Sequence, residues 1–370
     1  MKFGNVFFGK KVIVTGNTGF KGSWLTVWLL ELGAHVVGIS KDVPTNPSMF
    51  DSLELRSRIK YCECDLRNLS AIKEIFEKEQ PDFVFHLAAQ PIVSESYLNP
   101  IETISSNVIG TASVLEALRC VTNPCNAVII TSDKCYDNVE WTWGYRENDR
   151  LGGKDPYSAS KGAAELIIKT YFHSYFSQAK SPVKLVSARA GNVIGGGDWA
   201  KDRVVPDSVK AWSNGLPVEI RNPKATRPWQ HVLEPLSGYL RCAQLLSSTD
   251  QELNGDSFNF GPAANQSFTV NELLLKLAKY WSVCELPEAI RYHNQSSFYE
   301  AGLLKLNCDK ALHQLHWQPV LTFDLTSKYT SLWYNEFYQR KSKSNMYEFT
   351  LKQIKQYCKA ASKNNLSWIL

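Results

Sequence analysis

The sequence predicts an α/β fold, a doubly wound parallel sheet with a smaller C-terminal α/β domain woven into it. Three observations predict this. Over the first half of the 370-residue chain, short apolar runs alternate with helically periodic segments, the pattern of a parallel sheet covered on both faces. A glycine-rich turn separates the first apolar run from the first helical segment. After Arg189 the alternation gives way to glycines at 195–197, prolines at 206, 217 and 228 and mixed polar loops, as expected where a second domain begins.

Taken in order, residues 12–14 read as a buried strand, and Thr15-Gly16-Asn17-Thr18-Gly19-Phe20-Lys21-Gly22 as the turn that opens a helix. Gly16 permits a tight turn, Gly19 lets backbone approach an anion, and Gly22 lets the helix lie close to the sheet. Together they form a Rossmann-type dinucleotide cradle with the helix N-terminus facing a pyrophosphate. Further strands are expected near 36–39, 59–64, 83–87, 128–131 and 184–190, with long helices over 101–118 and 157–176.

The strand ending at Thr131 delivers Ser132, Asp133 and Lys134 to the carboxyl edge of the sheet, where ligands of such folds bind. Tyr157 and Lys161 stand four residues apart on a helix and share a face. An unperturbed phenol titrates near ~10, so the lysine cation is expected to favour the phenolate and make Tyr157 a base near neutral pH. Asp133, kept protonated by burial, is expected to serve as an acid. Lys134 is expected to act as a base directly, to act through water, or to stabilise an enolate.

Composition bounds the partners. The hydrophobic content of 44% supplies a substantial core. The net charge of +5 is concentrated from Gln339 onward, where seven basic residues stand against Glu348 alone. The body is therefore near neutral, which argues against nucleic acid as a partner. The tail is expected to be a solvated helix with Leu351, Ile354, Tyr357 and Cys358 packing locally. Nine scattered cysteines include no CxxC pair, so the expectation is free thiols and no metal. Residues 1–8 lack a signal-peptide core and no run approaches the ~20 apolar residues of a membrane span. A cytoplasmic protein with no membrane partner is expected.

The G-x-x-G-x-x-G spacing with Tyr157 and Lys161 resembles the extended short-chain dehydrogenase/reductase family acting on nucleotide sugars. The segments Trp143-Gly144-Tyr145-Arg146-Glu147, Arg189-Ala190-Gly191-Asn192-Val193-Ile194-Gly195-Gly196-Gly197-Asp198-Trp199 and Arg227-Pro228-Trp229-Gln230-His231-Val232 are similar to its 4,6-dehydratase branch, over roughly residues 8 to 335. The resemblance implies Ser132, Asp133, Lys134, Tyr157 and Lys161 as catalytic residues. It implies a cofactor held by Gly16, Thr18, Gly19, Phe20, Gly22, Ser40, Asp65, Leu66, Ala88, Ala89, Gln90, Tyr157 and Lys161, and substrate contacts from Asn192, Arg203, Arg227 and His231. NAD is the implied cofactor. NADP stays open, because strand two ends in Ser40, followed by Lys41 and Asp42, where an acidic residue usually meets the ribose, and Lys41 or Lys21 could receive a 2′-phosphate.

CDP-glucose is the substrate the resemblance implies, a homodimer through the helices over 101–118 and 157–176 the implied assembly. The implied division is a dinucleotide-binding domain over 1–190 plus about 231–262, a substrate domain over 191–230 plus about 263–338, and a basic extension over 339–370. Other readings are a nucleotide-sugar epimerase or reductase, a dehydratase acting on dTDP-glucose or GDP-mannose, and a non-catalytic dinucleotide-binding regulator.

Overall fold

The computed structural model describes residues 2–220, 222–248, 253–263, 265–285, 288–292, 303–339 and 345–369. The apolar runs form β1 (Lys11–Thr15), β2 (His35–Ser40), β3 (Lys60–Glu63), β4 (Phe83–His86), β5 (Cys125–Ile130), β6 (Val183–Ala190) and β7 (Ser257–Phe260). They build one seven-stranded sheet in the order β7-β6-β5-β4-β1-β2-β3, with every neighbouring pair parallel. Strand order reverses between β1 and β4, so a crevice opens beyond their carboxyl ends.

Alternation along β1 shows how both faces are covered. Val12 and Val14 enter one apolar cluster with Trp24, Trp28 and Leu236, whereas Ile13 enters the other with Phe76, Leu115 and Ile168. The first face is covered by α1 (Phe20–Glu31), the second by α2 (Leu69–Glu79), α3 (Gly110–Leu118) and α4 (Pro156–Tyr171). α4 starts where Asp155 accepts the Ser158 N–H at 2.9 Å, with Pro156 in the first turn. Beyond the carboxyl edge lie α5 (Val204–Ser213) and three two-stranded pairings: Val193–Ile194 with Gln230–His231, Thr226–Arg227 with Phe268–Thr269, and Val218–Ile220 with Ile290–Tyr292. The chain then returns to the first face through α6 (Leu233–Ser247) and β7.

Helices α7 (Phe323–Tyr338) and α8 (Met346–Lys363) complete that face, and here the sequence expectation is corrected. The basic tail is no solvated extension. Ile354, Tyr357 and Trp368 are fully buried in the main core beside Trp28, and Phe3 stacks on Trp368 at 4.9 Å. The apolar stripe of α8 has the whole first face to pack on, while Lys352, Lys355, Lys359 and Lys363 stay exposed on its other side. Arg340, Lys341 and Lys343 lie outside the described residues.

One buried carboxylate ties this tail to α6. Glu234 accepts hydrogen bonds from the Val320 and Leu321 amides at 3.0 and 2.6 Å and from the Tyr357 hydroxyl at 2.7 Å. Burial pushes its carboxyl up to about 7, against those donors. An unfolded glutamate titrates near about 4.3, so this group costs increasing stability as pH rises from there to about 7, and its full cost is felt above that. Removing a donor raises the cost of ionisation further. Tyr357→Phe should therefore destabilise the protein by about 1–3 kcal/mol, more at pH 8 than at pH 5, in urea unfolding followed by circular dichroism.

Candidate active site

The glycine turn is built from backbone contacts no side chain would permit. Gly16 is left-handed at φ 72°, and a Cβ there would stand 2.7 Å from the Ala88 amide nitrogen at the end of β4. A Cβ on Gly22 would stand 2.1 Å from the Gly16 carbonyl oxygen, so Gly22 seats α1 against the turn itself rather than against a strand. Gly19 caps α1 with no side-chain hydrogen bond, and a Cβ there would meet only the Gly16 oxygen, at 3.4 Å. The first-turn amides are thus left for an anion. The Asn17 Nδ2 is buried and has no partner. Uncapped amides over close-packed glycines suit a dinucleotide.

Ser40 donates to Asn17 Oδ1 at 2.9 Å and receives the Thr18 amide at 3.4 Å, so it fastens the turn from the end of β2. Asp65 is held by Arg67 at 2.6 Å, and Arg67 also pairs with Glu102. Leu66, Ala88, Ala89 and Gln90 line the same cavity as Gly16, Thr18, Gly19, Phe20, Gly22 and Ser40. Gln90 is clamped by Asn107, which accepts its amide at 2.7 Å and donates to Ser160 of α4 at 2.8 Å. This clamp joins the segment after β4 to α4.

The cavity, about 1540 Å³, runs from Ser40 past Tyr157 to Arg227. That exceeds the ~300–1,000 Å³ of a single small-ligand pocket and has room for two ligands end to end. Ser132, Asp133 and Lys134 sit where β5 ends in a short 3₁₀ turn. Ser132 donates to Asp133 Oδ1 at 2.9 Å and accepts the Lys134 amide at 3.2 Å. Burial raises the Asp133 carboxyl above the usual range, against Lys134, Ser132 and Lys21. Lys134 is partly buried on the cavity wall.

The tyrosine–lysine couple behaves differently from expectation. Tyr157 is pushed up to about 12 by burial, opposed by Ser132 and Arg203 and reinforced by Asp133, and Lys161 is not among the largest influences on it. Lys161 Nζ lies 6.0 Å from the Tyr157 ring centre and is itself lowered to about 8 by burial. Sharing a helix face brought the two side chains together, but burial drives both toward their neutral forms.

On the far wall, Asn192, Arg203 and Arg227 line the cavity, Arg203 pairing with Asp198 at 2.9 Å. His231 does not. It is fully buried, edge-on to Trp24 and Tyr329, and its Nδ1 accepts the Leu233 amide at 3.3 Å. Without a counter-charge its imidazole is lowered to about 3, and it serves the core rather than a ligand. His86 is likewise structural, held between Thr15 and Thr111 hydroxyls at 2.7 and 3.0 Å. Trp141 packs on Tyr145 at 5.1 Å. It does not line the cavity, and neither does the exposed Trp143.

Lys21 is also misplaced by the sequence reading. Its charge neighbours are Arg203, Asp133, Lys161 and Asp198, so it faces the catalytic turn and not the end of β2. Lys41 does stand at that end, 3.6 Å from Glu102.

A family model described as GDP-mannose 4,6 dehydratase matches residues 13–330. The CDP-glucose 4,6-dehydratase of Salmonella typhimurium is 47% identical over 318 residues, covering 85% of this chain and 88% of that protein. The dTDP-glucose 4,6-dehydratase of Haemophilus influenzae is 25% identical over 349 residues, 87% of this chain and 97% of that protein. Among solved structures, the UDP-glucose 4-epimerase of Thermotoga maritima superposes with a TM-score of 0.75 at 21% identity, covering 88% of this chain and 99% of that one. The dTDP-glucose 4,6-dehydratase of Bacillus anthracis in complex with NAD gives 0.72 at 20% identity, covering 89% and 97%.

The two outer glycines of the turn should separate in experiment. Gly22→Ala should cost about 1–3 kcal/mol of stability in urea, because a backbone oxygen must move to admit the methyl group. Gly19→Ala should keep wild-type stability in the ligand-free protein and lose NADH affinity in calorimetry, since its Cβ would occupy open space on the ligand side.

Proposed function

The chain belongs to the GDP-mannose 4,6 dehydratase family, and from that premise we propose that it is a hydro-lyase converting CDP-glucose to CDP-4-dehydro-6-deoxyglucose and water with NAD as cofactor. The 47% identical relative named for CDP-glucose supports that substrate, and the NAD complex of a structural neighbour supports the cofactor. One observation carries the reading: a single cavity joins the glycine cradle, the Ser132-Asp133-Lys134 turn and the Tyr157–Lys161 face.

When bound, the nicotinamide accepts hydride from C4 of the hexose and returns it to C6. The protein supplies the proton chemistry. Tyr157 takes the proton of the 4-hydroxyl. It is protonated in the free protein and becomes a base only when positive charge, from Lys161 and the oxidised cofactor, is brought against it. Ser132, bonded to Asp133 and acting on Tyr157, is placed to donate to O4 as the ketone forms. The ketone acidifies the C5 proton, and Lys134 acts on that side of the ring, as the base that takes this proton and returns it to C5 once hydride has reached C6, or by stabilising the enolate. Asp133, whose burial raises its carboxyl above the usual range, gives a proton to the departing 6-hydroxyl. Asn192, Arg203 and Arg227 take the nucleoside diphosphate, with Arg227 capable of a bidentate grip.

An epimerase has no use for an acid at O6, so the carboxyl beside Ser132 favours dehydration. The free cysteines suit a reducing cytoplasm, the compartment we infer. No helix among the described residues is long and apolar enough to cross a membrane. The domain division expected above, with β7 completing the dinucleotide-binding sheet, is part of the same proposal.

The exposed Leu98, Ile101, Ile109 and Leu166 lie on the helices running from 93 to 118 and on α4, and we assign this face to a homodimer contact. Mass spectrometry tests the activity. Wild-type protein with NAD should remove one water from CDP-glucose, and Asp133→Asn should lower the rate at least about a hundredfold. A mass-silent reaction would overturn the reading. In light scattering, a double change of Ile101→Arg and Leu166→Arg should halve the mass of the wild-type assembly.

A further inference from the structure

Among the cations that line the cavity, Lys21 has no task in the reaction above. Lys21 is the second residue of α1, directly after the Gly19 cap, and it lines the cavity together with Ser132, Asp133, Lys161 and Arg203. Its ammonium has no hydrogen-bond or ion-pair partner among the described residues. Its charge neighbours are two cations, Arg203 and Lys161, and two carboxylates, Asp133 and Asp198.

Those carboxylates are engaged elsewhere. Asp198 is taken by Arg203 at 2.9 Å and by the Ala200 amide at 3.0 Å. Asp133 is bonded to Ser132 at 2.9 Å, and its burial favours the protonated, uncharged form. Lys161, only 6% exposed, also has no hydrogen-bond partner among the described residues. Three basic side chains, Lys21, Lys161 and Arg203, therefore converge beside the uncapped N-terminus of a 12-residue helix, with only Arg203 paired. Burial first, then Arg203, lowers the Lys21 ammonium to about 8, the behaviour of a cation missing its counter-ion. Such an arrangement is costly when empty and favourable once an anion enters.

Lys21 and Arg203 also approach from different parts of the fold. Lys21 rises from the glycine turn of the central sheet, and Arg203 caps α5 on the far wall. An anion held between them would be gripped from both walls at once. We propose that Lys21 and Arg203 form a paired cation site for a diphosphate group, with Lys21 a ligand-contact residue in addition to the glycine amides. The site rests on the reading above that two nucleotides share this cavity. The diphosphate belongs either to the dinucleotide or to the nucleotide sugar, and both present the same chemistry.

The test is binding to the full-length protein, independent of turnover. Wild type, Lys21→Met and Lys21→Arg are titrated by calorimetry with NADH, with CDP and with inorganic pyrophosphate, and each is melted with and without pyrophosphate. Lys21→Met should bind NADH, CDP or both at least about tenfold more weakly, the loss of one charge-assisted phosphate contact, and Lys21→Arg should recover most of it. A loss for NADH alone assigns the cofactor's diphosphate, a loss for CDP alone the substrate's, and either supports the site.

Ligand-free Lys21→Met should melt at or above wild type, since it sheds an unpaired, partly buried charge, while its stabilisation by pyrophosphate shrinks. Wild-type affinity for all three probes would overturn the proposal. So would a lower melting temperature with an undiminished pyrophosphate shift, which would mark Lys21 as structural. Should Lys21→Met not fold, Lys21→Gln is read by the same criteria. If the wild type removes no water from CDP-glucose but Lys21→Met still loses pyrophosphate or NADH binding, the activity fails and the anion site stands.

Discussion

The cavity depends on one buried ion pair. Arg189 at the end of β6 and Glu165 on α4 meet at 2.7 Å, each only 3% exposed. Burial alone would raise the Glu165 carboxyl, but Arg189, Thr131 and Ser187 hold it below the usual range. Glu165 accepts the hydroxyls of Thr131 and Ser187, while Arg189 donates to Tyr136 at 2.7 Å and to the Glu147 carbonyl at 3.0 Å. Tyr136 in turn donates to Asn259 of β7 at 2.8 Å. The web fixes α4, which carries Tyr157 and Lys161, against β5, whose last turn carries Ser132 and Asp133. A buried pair of this kind adds little net stability compared with apolar packing, yet losing one partner costs about 3–5 kcal/mol. Its consequence here is geometric, because it sets the register between α4 and the last turn of β5.

Around that web the electrostatics share one theme. Burial raises Asp133 and Tyr157 and lowers Lys21 and Lys161, so each group is driven toward its neutral form in the free protein. For Asp133 that is the form an acid needs. For Tyr157 it is the wrong form for a base. In the proposed reaction ligand charge supplies the difference, which would couple catalytic competence to occupancy of the cavity. A free protein arranged this way holds its base in reserve until the ligands arrive.

The sheet was legible in the sequence because strands buried on both faces are short, apolar and evenly interspersed with helices. β7 is the exception: its few residues carry no alternation of their own and were placed only through family resemblance. The Tyr157–Lys161 spacing gave the shared face correctly but not the ionisation, since burial depends on segments outside the helix, such as those carrying Ser132 and Arg203. Glu165 was legible in principle, standing four residues beyond Lys161 on the same face. His231 shows the opposite error. A histidine within a motif suggests a ligand, whereas its surroundings, Trp24 and Tyr329, come from distant parts of the chain. The tail misled through its charge. The lysines of α8 mark its wet face, and the stripe through Ile354, Tyr357 and Ala361 gave no hint that its partner is α1 and the N-terminus.

The glycines at 195–197 show why the far wall resists local reading. In sequence they suggest a flexible loop. In the fold they are a crossing point: a Cβ on Gly196 would stand 2.1 Å from the Trp333 ring, and one on Gly197 would stand 2.7 Å from the Met49 sulfur. The Trp24 indole donates to the Gly196 carbonyl at 2.9 Å, and the Tyr334 hydroxyl donates to the Asp198 carbonyl at 2.6 Å. Helices α1 and α7 therefore clamp this segment immediately before Asp198, the residue that orients Arg203. Glycine here serves close approach, not freedom of movement. Arg203 on the far wall is thus referenced to α1, the helix that the glycine turn opens, and the two walls of the cavity share one rigid origin.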